Sequence, residues 1–171
     1  MITEVFNLKK NTRKGKTILP GTKSNRCPYC GGAIELRSAD GIYKKKRSGT
    51  MLYTCTNYPK CDAYVRVLPG TKTPIGSLAN GDLRALRREA HQRFDRLHLS
   101  GLMSRKDAYE WLSEILQAPM SHTHIGYLGE YYCKQVIEES TRMMENWRKG
   151  QSGWYRQRVQ QASGGEIYAV K

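Results

Sequence analysis

The sequence predicts an α+β protein: a small four-cysteine zinc ribbon of short antiparallel strands, followed by a helical domain of about three helices. Three observations carry this. Four cysteines stand in two close pairs, Cys27-x2-Cys30 and Cys55-x5-Cys61. Short strand-like runs flank those pairs. Beyond about residue 76 the apolar period changes to the three-and-four spacing of amphipathic helices.

The cysteine pairs set the chemistry. Two close pairs on separate turns can converge on one tetrahedron, because Zn²⁺ takes four thiolates without requiring one chain path. Such a site is closed to water and substrate, so the expected cofactor is one structural zinc held by Cys27, Cys30, Cys55 and Cys61. Disulfides are the alternative for the same four. The N-terminus, MITEVFNLKK, lacks the basic–apolar–small order of a secretory signal. No apolar run has the length of a membrane helix. The expected location is thus the cytoplasm, where paired cysteines favour metal over disulfide.

Charge is segregated. The 171 residues carry a net +14. Residues 1–26 contribute +6, residues 27–70 +4, residues 71–148 only +1 and residues 149–171 +3. The excess sits on the ribbon and both ends, and a basic surface draws polyanions or acidic proteins to it. Solubility alone is the plainer explanation. The 39% hydrophobic content and mean hydropathy of −0.68 allow a compact core that does not use the whole chain.

Along the chain, residues 1–24 read as a basic arm, with a short strand possible at Ile2–Leu8. Gly15-Lys16-Thr17 resembles the end of a phosphate-binding loop, but Lys10 stands where the first glycine belongs. Residues 25–70 form the ribbon. Gly31-Gly32 permits the tight turn that aims backbone N–H groups at sulfur. Strands are expected at Ala33–Arg37, Met51–Thr54 and Tyr64–Leu68. Between the first two, Asp40-Gly41 and Ser48-Gly49 mark turns, and Lys44, Lys45, Lys46 and Arg47 follow one another. Together with Tyr43 and Tyr58, this run is the candidate surface for nucleic acid or a partner. The alternative is a solvated hairpin tip, with the tyrosines packing the ribbon.

Residues 71–76 have the composition of a linker. The helical domain, residues 77–148, then opens on Asn80 as cap, with Leu83, Leu86, Ala90, Phe94 and Leu97 along one side. Ser104-Arg-Lys-Asp107 is a capping box ahead of Ala108, Trp111, Leu112, Ile115 and Leu116. Pro119 is expected to end that helix. A third is expected from about Tyr127 to Trp147, with Leu128, Tyr132, Val136, Met143 and Trp147 on one side. Residues 149–171 read as a basic flexible tail in which Trp154 and Tyr155 stand out.

Other residues have quieter expectations. Cys133, without a partner at motif spacing, is expected as a small buried side chain. A second metal site from His122, His124 and Cys133 is the alternative to a loop and cap around His124-Ile125-Gly126. His91 is expected at the surface or bonding between helices. Glu138-Glu139 is expected on a solvated face. No nucleophile–base–orienter set is visible, so the expectation is a non-enzyme.

The segment CPYCGG … CTNYPKC, residues 27–32 and 55–61, resembles the C-terminal zinc ribbons of bacterial type I topoisomerases. The likeness covers about forty residues and implies single-strand binding with aromatic stacking. A longer resemblance runs through Ile75–Asn80, Arg87–His91, Met103–Tyr109 and His124–Gly126. With the ribbon, it is similar to the zinc-finger-containing domain family of phages and prophages, to which no reaction is assigned. That resemblance implies a mobile-element origin. Small phage proteins of this kind include anti-CRISPR inhibitors of Cas9-type nucleases. The expectation is therefore a non-catalytic accessory protein binding nucleic acid or a nucleoprotein through its basic surface. The rival is an inhibitor that occupies a Cas9-type nuclease and blocks its nucleic-acid loading. A virion part lacks the repeats or long coiled coil to support it.

Overall fold

The computed structural model describes residues 25–43 and 49–150, together with residues 12, 13, 16, 17, 19, 20 and 22. Near the N-terminus, β1 (Thr12–Arg13) pairs antiparallel with β2 (Lys16–Thr17). The strand considered at Ile2–Leu8 lies outside the described residues, as do Lys44–Arg47, Trp154 and Tyr155.

The ribbon sheet has three antiparallel strands in the order β3 (Ile34–Ser38), β4 (Met51–Cys55), β5 (Tyr64–Arg66). Central β4 buries Leu52, Thr54 and Cys55 completely. Its register places Ile34 opposite Cys55 and Ser38 opposite Met51. The knuckles therefore sit at one end of the β3–β4 pair, and Ser38 and Met51 at the other.

The third strand is shorter than the sequence suggests, because the chain turns at Pro69-Gly70 and comes back. Leu68 N–H donates to Thr73 O at 2.8 Å and Ile75 N–H to Arg66 O at 2.9 Å. Tyr64 and Ala79 exchange both backbone bonds, at 3.0 and 3.3 Å. Residues 71–76 thus run along the edge of β5, whose backbone groups need partners.

Three helices follow: α1 (Gly81–Leu99), α2 (Arg105–Leu116) and α3 (Glu130–Arg148). Asn80 Oδ1 accepts from Leu83 N–H at 3.0 Å, and Ser104 and Asp107 form the reciprocal capping box. The helix α2 stops before the expected proline. Gln117 turns left-handed at φ +48°, and Pro119 instead caps a short 3₁₀ turn, Met120–His122. The helix α3 begins three residues later than expected. A second 3₁₀ turn, Ile125–Tyr127, takes up the preceding stretch, and His124 Nδ1 closes it by accepting Gly126 N–H at 3.1 Å.

Ala90, Phe94 and Leu97 of α1 meet Trp111 and Leu112 of α2 and Cys133 and Val136 of α3 in one core. Leu83 and Leu86 pack at its margin. Trp147, expected on the buried side of α3, is instead 39% exposed on the last turn. No helix among the described residues is long and apolar enough to cross a membrane.

The ribbon is tied to the helices by polar and backbone contacts. Arg84 lies over the Tyr64 ring at 3.6 Å and donates to the Asp62 and Ala79 carbonyls, each at 2.6 Å. It also pairs with Asp62 Oδ2 at 3.0 Å. Arg87 reaches the opposite way, to Leu128 O at 2.9 Å, Ser77 O at 2.9 Å and Ser77 Oγ at 2.7 Å. Beside it, Gly76 and Gly126 meet backbone to backbone, with Ser77 N–H donating to Gly126 O at 3.0 Å. A Cβ on Gly76 would run into the Gly126 carbonyl, so this joint requires glycine.

Candidate metal centre

The two knuckles place four sulfurs together. The Sγ atoms of Cys27, Cys30, Cys55 and Cys61 all lie within 4.8 Å of one another, and all four residues are free thiols. Cys27 Sγ is 3.6 Å from Cys61 Sγ, and Cys30 Sγ is 3.3 Å from Cys55 Sγ. A tetrahedron with Zn–S of about 2.3 Å has its sulfurs about 3.8 Å apart. The cluster thus has the size and donor set of a four-thiolate zinc site.

The backbone around it is arranged for thiolates. The N–H groups of Gly32, Asn57 and Ala63 point at Cys30, Cys55 and Cys61 respectively. Gly31 takes φ +72°, which swings the following N–H inward. A Cβ on Gly32 would stand 2.8 Å from Asn57 Nδ2 and 3.1 Å from Cys55 Sγ. The Asn57 side chain adds an N–H to Cys30 Sγ at 3.3 Å. These donors fix and polarise the ligands from outside the first shell of sulfur.

Without a metal the thiols differ. The Gly32 N–H, followed by Cys55 and Asn57, lowers exposed Cys30 to about 6. Burial pushes Cys55 up to about 12 and also raises Cys61. Zinc must displace protons from the inner thiols, so binding releases protons and weakens as pH falls.

A family model described as a zinc-finger-containing domain matches residues 23–143. The chain belongs to this family. No curated protein and no solved structure matches the chain. In this zinc-finger-containing protein, Cys27, Cys30, Cys55 and Cys61 hold one structural zinc. With four thiolates it has no open position; what it supplies is a crosslink between the two knuckles.

The other sequence candidates are placed as follows. Tyr58, half-buried, begins the turn inside the second knuckle, its N–H donating to Cys55 O at 3.1 Å. Tyr43 is half-buried and meets the Tyr64 ring edge-on, 5.9 Å between centroids. Lys44, Lys45, Lys46 and Arg47 lie outside the described residues. Tyr29, 43% exposed inside the first knuckle, was not among the candidates. Its position beside Cys30 was the available signal.

The alternative second metal site does not form. Among the described residues the four-cysteine cluster is the one metal-competent group. Cys133 is fully buried in the helical core, while His124 is exposed and its Nδ1 is taken by Gly126 N–H. Burial also pushes the Cys133 thiol up. Cys133→Ala should leave the zinc content unchanged and cost about 1 kcal/mol for the small cavity. Metal analysis together with a thermal melt checks both expectations.

Proposed function

We propose that this protein is a non-catalytic accessory factor that binds nucleic acid or a nucleoprotein through the basic surface of its ribbon and ends. One observation carries the reading: of the net +14, only +1 belongs to residues 71–148. The helical part is electrically balanced, and the excess belongs to the sequence of the ribbon and its flanks. The β3–β4 register supports this, since Ser38 and Met51, the strand ends nearest Lys44–Arg47 in sequence, lie at the end of the pair opposite the knuckles. Tyr29, exposed within a knuckle, supplies a ring of the kind that stacks on unpaired bases. The closed four-thiolate centre supports a binding role over a catalytic one. The setting, a phage or other mobile element in a bacterial host, rests on the family resemblance alone.

The test neutralises Lys44, Lys45, Lys46 and Arg47 together. The control neutralises four cations of the helical part, Arg93, Arg96, Arg105 and Arg142. Four adjacent cations add their potentials within a Debye length of about 8 Å, whereas those interspersed with acids largely cancel. Affinity for single-stranded oligonucleotide should fall by about one to two orders of magnitude in the first variant and much less in the second. The slope of log K against log salt should shrink by about one unit per lost contact. Equal affinities for wild type and both variants would overturn the reading. Retention of one protein in fixed stoichiometry after nuclease treatment, with no affinity for nucleic acid, would favour the rival inhibitor of a Cas9-type nuclease.

A further inference from the structure

The helix α1 carries a second stripe that its core packing does not use. Arg84, Arg87, Arg88 and His91 recur at i, i+3, i+4 and i+7, which places them on one face. On that face Arg84 reaches Asp62 of the ribbon and Arg87 reaches Ser77. Between α1 and the ribbon lies a cleft of about 850 Å³, whose lining includes Tyr43, Tyr64 and His124. All four members of the stripe line it, and Arg66 of β5 joins them from across the gap. Among the described residues, no carboxylate lines it.

The charge in this cleft is incompletely answered. Arg87 is 8% exposed, and it donates to two carbonyls and a hydroxyl and also meets the Cys133 thiol; no carboxylate is among these partners. Buried charges are ordinarily paired with an opposite charge. Arg84 has Asp62, but that carboxylate does not line the cleft. The Arg88 and Arg66 side chains are exposed and make no hydrogen bond or ion pair with the described residues. Burial, with Asp95 acting against it and His124 with it, lowers the pKa of His91, so the fixed charge comes from the arginines. The His91 and His124 rings lie 6.4 Å apart, and both line the cleft, as does Gly126.

We propose that the cleft between α1 and the ribbon is a binding site for a phosphoryl group, with Arg88 and Arg66 as its direct contacts and Arg87 as the buried charge behind them. Guanidinium groups present paired N–H donors that match phosphate oxygens. The volume is that of an ordinary small-ligand pocket, larger than a phosphate needs, and the tyrosines along it suit the ring of a nucleotide. The phosphoryl group comes either from a free nucleotide or from a nucleic-acid strand. The strand case rests on the nucleic-acid reading above; the free-nucleotide case does not.

The chain has four histidines, His91, His98, His122 and His124, and two of them line the cleft. Their ring C–H proton signals report on it directly. The zinc-loaded full chain is titrated at fixed pH and ionic strength with inorganic phosphate, AMP and a ten-nucleotide oligothymidylate, with acetate as control. Saturable movement of the His91 and His124 signals, with those of His98 and His122 still, is the expected result for at least one phosphoryl probe. Arg88→Glu, at an exposed position, should keep the circular dichroism spectrum and weaken that probe about tenfold or more. Saturation by AMP identifies a nucleotide site; saturation by the oligonucleotide alone identifies a strand site. Oligonucleotide binding that leaves His91 and His124 still overturns the cleft and spares the nucleic-acid reading. Movement with AMP but no oligonucleotide binding does the reverse. Stillness with every probe, an equal response to acetate, or unchanged affinity in Arg88→Glu also overturns the cleft.

Discussion

Stripping zinc with a chelator should unfold the ribbon and leave the helices standing. The buried cluster around the ligands is small: Cys27, Cys55, Ala63, Val65 and Leu78, two of which are ligands themselves. Metal binding to such sites is worth about 10–16 kcal/mol at neutral pH, which exceeds what a core of that size can supply. The helical core contains no ligand residue. Circular dichroism should therefore keep most of its helical signal. Amide signals of β3, β4 and β5 should collapse toward unfolded positions and return on adding zinc. Acid should act like the chelator, because burial places Cys55 near 12 without metal and its proton competes with zinc. A ribbon that keeps its dispersed signals in excess chelator contradicts this expectation.

Arg87→Met should be strongly destabilising although it touches no zinc ligand. The substitution keeps much of the side-chain length and removes the three donated bonds to Ser77 and Leu128. Each carbonyl or hydroxyl left without a donor in a buried setting costs about 1–3 kcal/mol. One effect opposes this: burial disfavours the cation, as its lowered pKa records, and methionine carries no such penalty. Three lost bonds outweigh it, for a net loss on the order of 3 kcal/mol. At about 2–4 °C per kcal/mol for a chain of this size, the melting temperature should drop by about 6–12 °C. Arg87→Lys should recover only part, because an ammonium cannot reach Leu128 and Ser77 together. Thermal melts of the zinc-loaded variants decide it, and an unchanged midpoint for Arg87→Met would refute this role of Arg87.

The parts of this molecule that were legible in its sequence are those fixed by local chemistry. Four cysteines at knuckle spacing leave few arrangements, so the ligands were readable directly. Asn80 and the Ser104–Asp107 box announced two helix starts because a cap needs only its own turn. Other boundaries depended on distant partners. Leu128 fits the apolar stripe of α3, yet it lies before that helix, with its carbonyl accepting from Arg87. Residues 71–76 have a linker's composition, and only the open edge of β5 shows where they lie. The Arg84–His91 stripe was visible as spacing. On a helix with acids nearby it reads as a solvated face, and its meaning comes from the ribbon packed across from it. Lys44–Arg47, the basic run the sequence made most of, remains a statement about sequence and charge.

The central claim is that four named sulfurs hold one metal and thereby build the ribbon. Native mass spectrometry of the full chain, wild type beside Cys27→Ser, Cys30→Ser, Cys55→Ser, Cys61→Ser and Cys133→Ala, tests it most directly. The account predicts one zinc on the wild type and on Cys133→Ala, with loss or marked weakening of zinc in each of the four serine variants. A wild-type chain without zinc, or a Cys55→Ser chain that keeps its zinc at full occupancy, would contradict it.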